Sequence, residues 1–313
     1  MNKCIKVFFN LKHREEYVKR YLYLLKRYNS KMKILIINES DQQLDNKIYA
    51  ELYDNVEIIS SDEKITGMNS IFRTFYKKKE VLKKYKYTCF VEDDNFIFPS
   101  AIKRSYDFLE KNKIFIGCNG KSFLFGKNNS LNHYLNLYNS PKFCSQSILS
   151  RVEDYIYNGG LTYYSLIKTN IFIEICYQIS FINDDNLSEV LFNYLMLIRG
   201  NLKSLNCFYL AREYPRPKIY NIPILKEWLK NKNLMNDINK VINILTKNLE
   251  NKLSMEEIDK FLDLTIFGYL SIRLNPKQKQ PSNFKNNIVK KIEYLYYLNN
   301  SEIKNFINLL NNY

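Results

Sequence analysis

Three consecutive acids, Glu92-Asp93-Asp94, followed by Asn95, stand directly behind the apolar run Tyr87 to Val91 (Y-T-C-F-V). Carboxylates at the end of a buried strand are costly to desolvate unless they are paired or hold a cation. Successive residues of an extended chain point to opposite faces. A turn at Asn95 is therefore needed to bring neighbouring carboxylates toward one ion. A divalent cation held there would neutralise a diphosphate and stabilise it as a leaving group. An all-oxygen site suits Mg²⁺ or Mn²⁺. The plainer alternative is a solvated turn whose acids cap the next helix.

A second acidic stretch, F-I-N-D-D-N-L-S-E-V (Phe181 to Val190), places Asp184, Asp185 and Glu189 at the start of an apolar helix spanning Leu187 to Ile198. A carboxylate so placed can take the proton of an attacking hydroxyl. Asp185 is the first candidate for that base, with Glu189 and Asp184 behind it. In the competing reading Ser188 or Asn186 caps the helix and the acids are merely favoured by its dipole.

The elements that must position these groups are legible upstream. Cys4 to Asn10, Met32 to Asn38, Val56 to Ser60 and Tyr87 to Val91 read as strands. Between them Arg14 to Tyr28, Lys47 to Tyr53 and a long segment from Thr66-Gly67 to Tyr85 carry apolar residues at helical spacing. Pro99-Ser100 opens a further helix. Four β-then-α units in succession predict a parallel sheet covered by helices, with ligands beyond the carboxyl ends of its strands. From Phe115 to Tyr164 the pattern turns to short aromatic runs broken by glycines, which predicts irregular strands and loops. A strand is expected at Asn206 to Ala211, and Pro215, Pro217 and Pro223 punctuate a change to a mostly helical tail. The predicted organisation is an α/β domain over residues 1–220 and a helical C-terminal region over 221–313.

At 313 residues and 46% hydrophobic, the chain is long and apolar enough for a large core, which excludes whole-chain disorder. It shows no signal-peptide pattern and no run of roughly 18–20 apolar residues that a membrane span needs. A cytoplasmic protein, peripheral to a membrane at most, is expected. The six cysteines are scattered without a C-x-x-C pair, and only His13 and His133 offer imidazoles. Reduced, core-filling cysteines are expected, and a zinc site is not. The net charge of +15 fits attraction to polyanions or anionic headgroups. A compositional bias toward Lys, Asn, Ile and Tyr explains it equally well.

The segment F-V-E-D-D-N-F-I-F-P-S-A-I resembles the aspartate motif of GT-A glycosyltransferases, especially the inverting bacterial family 2 and its relatives. V-F-F-N-L-K-H-R-E-E-Y-V (Val7 to Val18) is similar to that family's first strand and loop, with Asn10 and His13 departing from the usual proline and asparagine. I-I-N-E-S (Ile36 to Ser40) resembles its second strand end, and together the three motifs span roughly residues 3 to 212. The resemblance implies a nucleotide-sugar donor, UDP- or GDP-linked by preference, and a glycan or lipid-linked acceptor. Carried over by position, Asp94 would ligate Mn²⁺ or Mg²⁺, and Asp93 would meet the donor and share the metal. Glu92 would support them. Leu11 would offer backbone contacts to the base, Asn38 or Glu39 would contact the nucleoside, and Arg14 and Arg73 would reach the base or diphosphate. Gly159 and Gly160 resemble the donor-sugar loop, where glycine lets backbone approach a sugar closely.

Two rivals remain open in the sequence. One is a nucleotidyl- or phosphotransferase on the same fold, although N-L-K-H-R-E lacks the glycine of a phosphate loop. The other is a non-catalytic basic module binding polyanions or glycans; no nucleic-acid partner is expected under the favoured reading. The tail, with predicted helices at Met255 to Leu270 and Asn287 to Tyr297, reads as a bundle packed on the catalytic domain or on a second copy. Its lysines around Trp228 and at Lys290-Lys291 also suit an anionic membrane surface.

Overall fold

A computed structural model describes residues 4–10, 15–38, 46–61, 64–65, 67–126, 143–158, 162–214, 233–274 and 300–312. Leu11, Arg14, Glu39, Gly159, Gly160, the boundary near residue 220 and the helix expected at 287–297 lie outside them.

Four strands follow the β-α rhythm: β1 (Cys4–Asn10), β2 (Lys33–Asn38), β3 (Val56–Ser60) and β4 (Tyr87–Phe90). They pair in parallel in the order β3-β2-β1-β4. Their connections carry α1 (Glu15–Arg27), α2 (Asn46–Leu52), α3 (Met68–Lys77) and α4 (Lys79–Leu82). The long helix expected up to Tyr85 is thus divided at Lys78, where the backbone leaves helical geometry (φ −91°, ψ 17°).

Beyond β4 the sheet becomes mixed. Strand β7 (Leu166–Lys168) runs antiparallel to both β4 and β6 (Phe115–Gly126). Strand β8 (Asn201–Tyr214) lies parallel to β6, and β5 (Asn95–Ile97) closes the edge antiparallel to β8. Strands β4 and β5 are joined by only four residues yet stand four places apart in the sheet. In a flat sheet that separation is about 19 Å at the usual strand spacing. A tight turn spans less than about 7 Å, so the sheet must curl until its β8–β5 edge reaches the end of β4. Breaks in the β6–β8 register near Gly117, Lys121 and Ser122 accompany that bend. At Gly120 a side chain would stand 2.7 Å from the Cys207 carbonyl, so only glycine fits there.

Three expectations are corrected. Residues 115–126 form one long strand rather than irregular pieces, and Ile148–Asn158 forms helix α6. Strand β8 runs from Asn201 to Tyr214, well beyond Asn206 to Ala211. Helix α7 (Thr169–Ile179), unforeseen in the sequence, packs its apolar face on α3 and α8 (Asp185–Arg199) and leaves Asn170, Glu174 and Tyr177 exposed.

The C-terminal helices are α9 (Leu234–Leu249), α10 (Met255–Leu274) and α11 (Ser301–Asn311). Helix α9 packs on α8, α10 on α6, and α11 on α1. Phe306 of α11 sits among Phe96, Phe98, Phe123 and Phe125 at centroid distances of 5.2, 5.4, 6.0 and 5.4 Å. These helices share one apolar core with the sheet. Among the described residues no helix is long and apolar enough to cross a membrane. Cys89, Cys118, Cys144, Cys176 and Cys207 are free thiols, all buried but the half-buried Cys144.

Candidate active site at the end of strand β4

Strand β4 is buried throughout, so the chain leaves the sheet interior at Val91 carrying three acids. The Asn95 amide donates to the Glu92 carbonyl at 3.1 Å, which closes a four-residue turn with Asp93 and Asp94 at its centre. Both aspartates are only 4% exposed, and one oxygen of each, Asp93 Oδ2 and Asp94 Oδ1, is fully buried. They do not cap the next helix. Helix α5 (Pro99–Lys111) begins after β5 at Phe98, without a side-chain cap.

Glu92 turns away from the pair. Its Oε2 accepts from the Tyr164 hydroxyl at 2.6 Å and from Asn95 Nδ2 at 2.9 Å, and Asn95 Nδ2 also reaches the Tyr164 hydroxyl at 3.0 Å. The Arg212 guanidinium stands 5.6 Å from the Tyr164 ring centroid. This triangle braces the turn. Tyr164→Phe removes a hydrogen bond to the half-buried Glu92 carboxylate and is expected to cost about 1.5–3 kcal/mol. Denaturant unfolding measures it, and an unchanged midpoint would mean that the triangle does not hold the turn.

Asp93 and Asp94 line a small cavity, with room for about one water, together with Tyr17 and Arg20 of α1, Phe125 of β6 and Phe306 of α11. Arg20 donates to the buried Glu213, at the end of β8, at 2.5 Å and lies over the Tyr17 ring. Sequence reasoning missed this pair, because its members are 193 residues apart. It also missed Tyr164, one among many aromatics in its stretch.

The second acidic motif divides by role. Asp184, not Ser188 or Asn186, caps α8: its Oδ1 accepts from the Leu187 amide at 2.9 Å, while Ser188 Oγ donates to the Asp184 carbonyl at 2.8 Å. Asp185 instead reaches the start of α3, where its Oδ1 accepts from the Asn69 amide at 3.0 Å. A side chain at Gly67 would fall 1.9 Å from Asp185 Oδ2, so the glycine makes room for the carboxylate. Burial pushes the Asp185 pKa up, against the lowering by the Asn69 amide; the Asp184 charge raises it further and Arg73 lowers it. Arg73 is half-buried on α3 with its charge felt at Asp185. Glu189 lies one turn further along α8, half-buried, and its carbonyl accepts from Asn193 Nδ2 at 2.7 Å.

The charges of both motifs are felt at the buried Tyr163. Its pKa is driven well above the ordinary tyrosine value by burial, Tyr164, Glu189 and Glu92, with Arg212 opposing. Asn38, 7% exposed, ends β2 in register with Asn10 and Ser60, and its carbonyl accepts from the Ser61 amide at 2.8 Å. It therefore stands at the same carboxyl edge of the parallel strands as the acidic turn.

Two adjacent carboxylates fit a hard divalent ion that completes its shell with phosphate oxygens and water. Among the described residues no three acidic, imidazole or thiol groups converge, so they form no all-protein cage.

No protein-family model and no curated protein matches the chain. Solved structures do. S. aureus TarS 1-349 superposes with a TM-score of 0.54 at 12% identity, covering 91% of this chain and 77% of that one. The same protein in complex with UDP-GlcNAc gives 0.58 at 11% identity and the same coverages. At such identity the likeness concerns the fold alone: the chain shares its GT-A-like α/β fold with TarS.

Proposed function

We propose that the chain is a metal-dependent glycosyltransferase that moves a sugar from a nucleoside diphosphate to a hydroxyl of a glycan or lipid-linked acceptor in bacterial surface polysaccharide synthesis. The observation that carries this reading is the buried Asp93–Asp94 pair at the carboxyl end of β4, in a fold shared with TarS. TarS was crystallised with UDP-GlcNAc, which puts UDP-linked donors first and GDP-linked donors second.

Asp94, with Asp93, would hold Mn²⁺ or Mg²⁺. Such an ion supplies charge neutralisation of the departing diphosphate. Asp93 would also contact the donor, and Glu92, fastened to Tyr164 and Asn95, keeps the turn in shape. Asp185 is the base: raised proton affinity suits a carboxylate that must accept a proton near neutral pH. Asp184 is engaged in capping, and Glu189 stands second. A base acting directly on the acceptor implies inversion at the anomeric carbon. The work is placed in the cytoplasm, with the positive chain touching an anionic membrane at most peripherally.

Thermal unfolding with UDP-, GDP- and CMP-linked ligands, with and without Mn²⁺, tests the proposal. Stabilisation by a UDP- or GDP-linked sugar that grows with Mn²⁺ is expected. No shift with any nucleotide would overturn it.

A further inference from the structure

The loop that leads into α8 is held from outside the sheet. Asp237, in the first turn of α9, is 1% exposed, and its Oδ2 accepts from the amides of both Asn183 and Asp184 at 2.9 Å. Its Oδ1 is paired with Lys240 Nζ at 2.8 Å, and the same ammonium donates to the Phe181 carbonyl at 3.2 Å. One carboxylate and one ammonium of α9 thus grip residues 181–184 at three backbone atoms. From the other side Asn69 Nδ2 donates to the Asn183 carbonyl at 2.5 Å, while the Asn69 amide binds the Asp185 carboxylate. A continuous hydrogen-bonded path therefore runs from α9 through the loop to Asp185 and the start of α3.

The arrangement exceeds what capping needs. The α8 N-terminus already has Asp184 as its cap. Burying a carboxylate against two amides is favourable only with its charge compensated, as Lys240 does here. The consequence is local: the backbone of Asn183 and Asp184, the two residues preceding Asp185, cannot shift without breaking the charge-assisted bond that each amide makes to Asp237. We propose that Asp237, together with Lys240, is a positioning residue for the Asp185 carboxylate, so that a C-terminal helix sets the geometry of the acid-base group. The functional half of this inference rests on the reading of Asp185 as the base; the positional half does not.

The test follows the Asp185 carboxyl carbon by NMR through a pH titration, alongside kcat and KM for the nucleotide sugar, in the full chain and in Asp237→Ala. Charged groups facing Asp185 are Asp184 on its own helix and Arg73 on α3, with Lys240 behind Asp237 on α9; all are retained in the variant. Burial is the largest cause of the raised pKa of Asp185. Loosening the loop should lower its midpoint toward the ordinary aspartate value, with at least a tenfold fall in kcat and KM changed less than twofold. Asp237→Asn, whose amide oxygen still accepts from both backbone amides, should recover much of both. If the alanine variant fails to fold, Lys240→Met, which releases the Phe181 carbonyl and leaves Asp237 uncompensated, should show the same changes in smaller measure, and an unchanged Asp185 titration there overturns the proposal. Val241→Ala, a buried apolar deletion on the same helix, controls for general loosening. An Asp185 titration unchanged in both Asp237 variants overturns the proposal, as does an equal change in Val241→Ala. A shifted titration with unchanged kcat supports the positioning and instead removes Asp185 as the base.

Discussion

Asp94→Ala is expected to abolish the Mn²⁺-dependent part of nucleotide stabilisation and to lower turnover by at least about 100-fold, the scale on which lost charge stabilisation at a leaving group is felt. The fold should survive. Asp94 is 4% exposed with one oxygen fully buried, and under the proposed reading its carboxylate serves the ion rather than the fold. Without metal and nucleotide the variant should therefore unfold at the same temperature as the parent or higher. Calorimetry of the four combinations of metal and nucleotide measures both effects. A metal-dependent shift that persists in the variant would move the ion elsewhere. A large loss of stability without ligands would make Asp94 a structural acid. The neighbouring turn remains intact by design, because Glu92, Asn95 and Tyr164 brace it independently of the Asp94 side chain.

Asp185→Asn should keep the donor-induced shift and lose about 100- to 10,000-fold in kcat, the usual range for removing a general base. Asparagine still offers an oxygen to the Asn69 amide and fits the space that Gly67 leaves open, so the start of α3 stays capped. The pH profile adds a second reading. Burial raises the Asp185 pKa, so its protonated, inactive form persists to higher pH than for an ordinary aspartate near 3.9. Activity as kcat/KM should therefore fall as pH drops through that raised value, and the variant should lack this acid limb. Normal turnover in Asp185→Asn would eliminate it as the base. An unchanged acid limb in any residual activity would assign the limb to Glu189 or another group.

Strands β1 and β3 were legible residue for residue, and β2 and β4 to within one residue, because short apolar runs bounded by polar turns report burial directly. The turn at Glu92–Asn95 was legible for a related reason: three acids cannot continue a buried strand, so the chain must turn. Helix α7 was passed over, although Thr169, Phe172, Ile173, Cys176 and Ile179 bury one face at helical spacing while Asn170, Glu174 and Tyr177 stay exposed. The long extents of β6 and β8 were hidden as well. Their pairing is between distant segments, and in β6 Gly117, Gly120 and Gly126 read as loop.

What the sequence by itself determined is the parallel half of the sheet, the position of the acidic turn and the existence of a second acidic motif before an apolar helix. Each is written in residues close together along the chain. Only the tertiary structure decided how the acids divide their work. It assigned Asp184 to capping and Asp185 to the α3 terminus, tied Glu92 to Tyr164, and joined Arg20 of α1 to Glu213 of β8. It also showed that helix α9 reaches into the second motif through Asp237. The physical reason is common to all of these. Hydrophobic period and turn chemistry act over a few residues, whereas the partner of a buried charge is chosen by the curl of the sheet, which brings together groups that share no local pattern.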